Sequence, residues 1–192
     1  IIRFDGDVTR VGAEAFYKCY NLKSISLPET VNAIGNNAFY ECYSLAQVSI
    51  PRSLYSVGEE AFGFRMFGVR DTEVEVFLPS LLRWLEISRG EEDSSPLAGS
   101  SGMFYVNGEA LTDIVIPDGV SVITGGSFTG CDAASYVIPD SVTGIGSRAF
   151  ENCRNLKKIH IPESVTSIGE FAFFGCENLT DINIPDGITV IN

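Results

Sequence analysis

The chain has one histidine, one tryptophan and two methionines in 192 residues, and only 13 basic side chains against 25 acidic ones. So little histidine leaves few ways to build general acid–base or imidazole–metal chemistry. The net charge of −12 sets up a field that repels phosphate backbones and anionic lipid surfaces, which argues against nucleic acid as a partner. No apolar run reaches the length of about 18 residues that a bilayer-spanning helix needs, and no basic-then-apolar leader opens the chain. No CxxC or CxxH pair prepares a zinc site, and the phosphate-cradling GxGxxG fingerprint is absent. What the chain does have is 45% hydrophobic residues, enough for a real core at this length.

Those residues recur. Ile138 to Leu156 reads IPDSVTGIGSRAFENCRNL and Ile161 to Leu179 reads IPESVTSIGEFAFFGCENL, identical at 12 of 19 positions and 23 residues apart. Pro28 and Pro51 share that spacing, as do Pro139, Pro162 and Pro185, while Pro117 lies 22 before Pro139. An aliphatic residue precedes each of these prolines, and others follow three and six places later; the last of these, Ile191, closes the series. Eleven places after a proline stands Phe39, Phe62, Phe128, Phe150 or Phe173, with Phe16 holding that place in the opening repeat. Three residues beyond the phenylalanine comes a cysteine column of Cys19, Cys42, Cys131, Cys153 and Cys176.

Each unit predicts a short strand ended by proline, which lacks the N–H a ladder needs. A second short strand, VTxIG, follows, turned by Gly35, Gly58, Gly146 or Gly169 through the positive φ open to glycine. The xxAFxxC stretch predicts about one helical turn. One unit cannot cover its own apolar face, so units stack, each phenylalanine on the next. Strands roughly 4.8 Å apart make about eight rungs into a rod on the order of 35 Å long. Because IIRF at the start and IPDGITVIN at the end both lie inside the pattern, the expectation is a fragment of a longer protein.

The consensus L-x-x-I-x-I-P-x-x-V-T-x-I-G-x-x-A-F-x-x-C-x-N resembles the BspA-like leucine-rich repeats of bacterial surface proteins, over about Ile2 to Phe62 and Leu111 to Asn192. The resemblance implies a right-handed leucine-rich-repeat solenoid with parallel strands on one side and short helical turns on the other. It also implies an extracellular or cell-surface location and adhesion or protein binding, with a host matrix or cell-surface protein as partner. It carries over no catalytic residue and no cofactor.

The pattern breaks between Pro51 and Pro117, dividing the single domain into regular repeats at 1–62 and 111–192 around an irregular segment at 63–110. VEVFLPSLLRWL still reads as a rung, with Val76, Leu78, Pro79, Leu82 and Leu85 at the expected offsets of the repeat and Arg65 in the cysteine place. The polar stretch from Glu86 to Gly102 reads as a loop decorating the convex side, and Asn107-Gly108 predicts a hairpin. Two places before each proline the side chain points outward: Ser26, Ser49, Phe77, Val115, Val137, His160 and Asn183. The end rungs are polar there and the middle ones apolar. Trp84 falls at a second outward position, shared with Ala33, Ser56, Val122, Gly144 and Ser167. Phe77, Trp84, Val115, Val137 and His160, rimmed by Lys157 and Lys158, are therefore the candidate binding residues. The alternative is that the irregular segment folds back over Phe77 and Trp84.

Enzyme chemistry has little to stand on. His160 with Cys153 is the one nucleophilic pairing available, yet Cys153 belongs to the periodic column and so serves the stack. Five cysteines cannot all pair, and parallel stacked side chains suit a disulfide poorly, so reduced buried thiols are expected. Glu91-Glu92-Asp93 lacks the alternating spacing of a calcium loop and reads as a solvated acidic turn. The rival to a binding domain is a rigid spacer that displays another module.

Overall fold

Runs such as Ser24-Ile25-Ser26 send the central aliphatic side chain inward and its two neighbours outward, and repetition lets each run lie parallel to the next. The structure is a computed structural model and describes residues 4, 7–63, 73–89, 95–98 and 100–188. Among them are sixteen short strands and one helix. In chain order these are β1 (Arg10–Val11), β2 (Ser24–Ser26), β3 (Ala33–Ile34), β4 (Gln47–Ser49), β5 (Ser56–Val57), β6 (Val74–Leu78), α1 (Leu81–Glu86), β7 (Ser88–Arg89) and β8 (Gly102–Val106). They continue with β9 (Glu109–Ala110), β10 (Asp113–Val115), β11 (Val122–Ile123), β12 (Ser135–Val137), β13 (Gly144–Ile145), β14 (Lys158–Ile159), β15 (Ser167–Ile168) and β16 (Asp181–Ile182). Ile2, Arg65, Glu91-Glu92-Asp93 and Ile191 lie outside the described residues.

The strands form the two layers of a repeat solenoid. One layer runs β2-β4-β6-β8-β9, then β10-β12 and β14-β16; the other runs β1-β3-β5-β7 and, separately, β11-β13-β15. Every pair is parallel except β8 with β9. In the first layer the register aligns Ile25, Val48, Val76 and Phe104 as one inward column. The phenylalanines stack as the periodicity predicts, with ring centroids 5.2 Å apart for Phe16–Phe39, 5.1 Å for Phe39–Phe62, 5.4 Å for Phe128–Phe150 and 5.2 Å for Phe150–Phe173. Phe39, Phe62, Phe128 and Phe150 are fully buried, whereas Phe16 and Phe173 are half-buried because only one of their faces meets a full neighbouring rung.

The Ala-Phe-Cys stretch is not a helical turn. Residues two before and two after the phenylalanine take left-handed backbone, as at Glu14 and Lys18 (φ 57° and 60°) and at Arg148 and Asn152 (φ 58° and 57°). This alternation points successive N–H groups in different directions. Phe16 N–H donates along the axis to Ala38 O at 2.8 Å, while Tyr17 N–H closes the local turn onto Glu14 O at 3.1 Å. The turn side is thereby a hydrogen-bonded ladder in its own right, which offsets the roughly 1 kcal/mol per left-handed residue that a side chain imposes.

The polar letters of the consensus serve the same ladder. Ser164 Oγ donates to Val142 O at 2.7 Å, Thr166 Oγ1 to Thr143 O at 3.2 Å and Asn178 Nδ2 to Arg154 O at 2.8 Å, each reaching one period back. Gly35, Gly58, Gly146 and Gly169 are needed for a reason other than the expected positive φ, which none of them adopts. A Cβ on Gly146 would lie 2.5 Å from Gly125 N, and one on Gly35 2.5 Å from Ala13 N, so the rungs approach too closely at this corner for any side chain.

The irregular segment departs most from expectation. Leu82 is not inward: Pro79 leads into α1, capped by Ser80 Oγ accepting from Arg83 N–H at 3.1 Å, and the helix turns Leu82 outward and Leu85 into the core. The polar stretch does more than decorate, since Ser95, Leu97, Ala98 and Ser100 are buried. The hairpin forms at Asn107 and Gly108, with φ of 53° and 82° as a type I′ turn requires. Its first strand, β8, occupies a rung of the first layer but turns back without sending a strand to the second. That layer consequently lacks one rung between β7 and β11.

Candidate interaction surface

Both residues flanking the inward position of a first-layer strand face outward, so the outer face carries two columns. In one, Ser26, Ser49, Phe77 and Tyr105 stand in register, followed by Val115 beside Val137 and then by His160. Phe77 and Tyr105 stack with ring centroids 5.1 Å apart. Val115 and Val137 are 63% and 56% exposed, which is high for aliphatic side chains lying side by side. His160, Lys157 and Lys158 are exposed as expected, and Lys158 Nζ pairs with Asp181 at 3.0 Å.

Trp84 must be removed from this set. Because α1 replaces the expected strand, Trp84 points inward and is fully buried, its Nε1–H donating to Ser127 O at 2.8 Å and its ring 5.3 Å from Phe104. Trp84 and Phe104 fill the space where the phenylalanine column is interrupted between Phe62 and Phe128. Two other members of the same expected outward column, Ala33 and Gly144, are buried as well.

Tyr105 and Met103 were missed from the sequence. Met103-Phe104-Tyr105-Val106 alternates like any other rung, but no proline follows it and the hairpin signal masks its parallel pairing with β6. Tyr105 Oη donates to Glu75 Oε1 at 3.3 Å, and Gln47 Nε2 donates to Glu75 Oε2 at 2.7 Å, tying a polar column beside the aromatic one. Partial desolvation and then the charge of Glu75 hold the Tyr105 phenol above its ordinary range.

The thiols are structural, as their periodicity predicts. Cys42, Cys153 and Cys176 donate to the carbonyls of Phe16, Phe128 and Phe150 at 3.2, 3.1 and 3.0 Å, each one rung back. Cys42, Cys131 and Cys153 are buried, while Cys19 and Cys176, on the terminal rungs, are half-buried. Burial pushes the Cys131 thiol up to about 11 and raises Cys153 well above the thiol range. Cys153 also contacts Tyr136 Oη at 3.7 Å and is sealed from solvent, whereas His160 is exposed, so the two do not form a nucleophilic pair. Among the described residues no group of three or more His, Cys, Asp or Glu is placed to hold a metal ion, and no helix is long and apolar enough to cross a membrane.

The chain matches the model of the BspA type leucine rich repeat region in six copies, over residues 1–66 and 100–192. Among curated proteins none matches it. It is similar to the solved structure of a leucine rich cell surface protein from Faecalibacterium prausnitzii, with 29% identity and a TM-score of 0.45, covering 91% of this chain and 42% of that one. It is similar also to a leucine-rich repeat protein from Eubacterium ventriosum, at 20% identity and a TM-score of 0.49 over 91% and 57% of the two chains. A third similar structure is the leucine rich repeat protein of T. pallidum, at 27% identity and a TM-score of 0.42 over 93% and 64%. The chain thus spans less than two thirds of the length of each. The stacked phenylalanines, the prolines that end the strands and the cysteines that bind back one rung are the physical content of that family match: the chain belongs to the BspA-type leucine-rich repeat family.

Proposed function

We propose that this chain is a non-catalytic binding domain, displayed at the cell exterior, that engages a host matrix or cell-surface protein through the outer face of its first strand layer. The observation that carries this reading is the change from serine at Ser26 and Ser49 to Phe77, Tyr105, Val115 and Val137 on the middle rungs, in the same outward columns. Covering an exposed valine is worth roughly 1.5 to 3 kcal/mol, whereas a rim ion pair such as Lys158–Asp181 contributes about 0 to 1. The apolar residues therefore supply the affinity, and His160, Lys157 and Lys158 supply a polar rim on an otherwise acidic rod.

The test is binding of the purified domain to immobilised host matrix proteins, comparing wild type with a Val115→Asp/Val137→Asp variant of unchanged circular dichroism. Saturable binding that the variant loses supports the adhesive face. Saturable binding that the variant retains moves the site elsewhere on the rod, and absence of binding by either protein favours a rigid spacer that displays another module.

A further inference from the structure

The apolar column on the outer face of the first strand layer runs between carboxylates. Phe77 and Tyr105 stand in register on β6 and β8, as Val115 and Val137 do on β10 and β12. Glu75 and Asp113 come two places before Phe77 and Val115, on the same outward side of their strands. Asp118 and Asp140 directly follow the prolines beyond β10 and β12, and both are exposed. The middle rungs thus border their apolar side chains with negative charge at both ends of the strands.

Among the described residues none of these four carboxylates pairs with a cation. Glu75 accepts from the neutral Gln47 and Tyr105, and Asp113 from Ser135 Oγ at 2.5 Å and Thr112 Oγ1 at 3.2 Å. The cations of this layer stand toward its two ends, Lys23 and Arg52 at one and Lys157 and Lys158 at the other. Lys158 is already held by Asp181.

Building on the binding role proposed for this face, we propose that its protein partner docks a cationic amphipathic helix there. The apolar stripe of that helix covers Phe77, Tyr105, Val115 and Val137, and its lysines or arginines meet the carboxylates on both sides. A helix fits because it carries one apolar stripe with charges on both flanks, whereas a strand turns alternate side chains away from the surface it lies on. The column crosses β6, β8, β10 and β12, at least three strand spacings of about 4.8 Å, or roughly 14 Å, which is about ten residues of helix. An anionic helix would bring like charge against these carboxylates, on a chain whose net charge is already −12.

The experiment is fluorescence anisotropy of the full chain with a labelled leucine–lysine peptide of about 18 residues, its leucines on one helical face, and with the counterpart that has glutamate in place of every lysine. The leucine–lysine peptide is expected to bind saturably and at least about tenfold more tightly than its counterpart. Asp113→Asn/Asp140→Asn is expected to weaken it about fivefold, and Glu59→Gln/Glu170→Gln, which removes the same charge from exposed positions off this face, to leave it within about twofold. Val115→Asp/Val137→Asp adds two negative charges, which would tighten a purely electrostatic attachment, and is expected instead to abolish binding. Equal binding of the two peptides, equal weakening by the two neutralising variants, or no saturable binding of the leucine–lysine peptide would each overturn the proposal. Equal binding of both peptides that Val115→Asp/Val137→Asp abolishes would leave the outer face standing as a binding surface without the cationic preference. Leucine–lysine binding that this variant retains would remove the face and the helix together.

Discussion

The regular rungs at 111–188 and the irregular ones at 73–106 solve one packing problem in two ways. In the regular part each side chain meets its own counterpart one period away, so Phe150 and Phe173 lie parallel within 1° and Cys176 donates to the carbonyl of Phe150. In the irregular part a rung of the second layer is missing and unlike groups must meet. Trp84 lies tilted on Phe104, Phe104 meets Phe128 edge-on at 79°, and Arg89 reaches across to Thr124. Repetition makes contacts like-on-like, while the interruption brings unlike rings together on one layer, Phe77 on Tyr105, and leaves an under-bonded cation, Arg89, on the other.

The sharpest way to break this contrast is to cut the stack. Phe150→Ala is expected to cost about 3 to 5 kcal/mol by denaturant unfolding, and the half-buried Phe173→Ala clearly less. Equal losses would erase the distinction between interior and terminal rungs. Within the irregular part, Trp84→Phe removes the indole N–H and strips Ser127 O of that bond, at an expected cost of about 1 to 3 kcal/mol in unfolding followed by circular dichroism.

Alkaline pH separates the two regions by sign. Cys131, pushed up to about 11, and Tyr136 and Cys153, raised in the same direction, keep their protons when folded at a pH where the unfolded chain has released them. Stability from these groups is complete below the ordinary thiol value of about 9 and is lost as pH rises toward 11. Arg89 works oppositely, since its depressed value makes the folded state release a proton first and adds stability above about 9. The unfolding midpoint is expected to fall between these pH values, and Cys131→Ala to flatten that fall.

Smaller effects sharpen the surface assignments. Val115→Asp is expected to change stability by no more than about 0.5 kcal/mol, a value checked by the same unfolding measurement, because the side chain is already exposed. Thiol labelling of the native protein checks the cysteine column. Cys19 and Cys176 are expected to react, with Cys176 the faster because the hydrogen bond from Cys153 lowers it, and Cys42, Cys131 and Cys153 to stay protected.

The proline spacing, the phenylalanine and cysteine columns and the outward places of Val115, Val137 and His160 were legible in the sequence. A period repeated along one chain fixes which residues stack, because each unit can bury its apolar face only against a copy of itself. The left-handed residues on either side of each phenylalanine were not legible. Glu14, Glu41 and Arg148 carry no local preference for that backbone and adopt it because the neighbouring rung accepts their N–H groups. Trp84 was misplaced for a related reason: its offset from Pro79 matches an outward strand position, and only the helix that replaces the expected strand turns it inward. Arg89 gave no signal, since its aliphatic counterparts Val57 and Ile34, one and two rungs back, align with it only through strand pairing. The sequence by itself therefore determined the period, the stack and the thiol column, all of which follow from nearest-copy contacts. The tertiary structure decided what fills the gap where a copy is absent, because there the partners come from segments that no periodic rule relates.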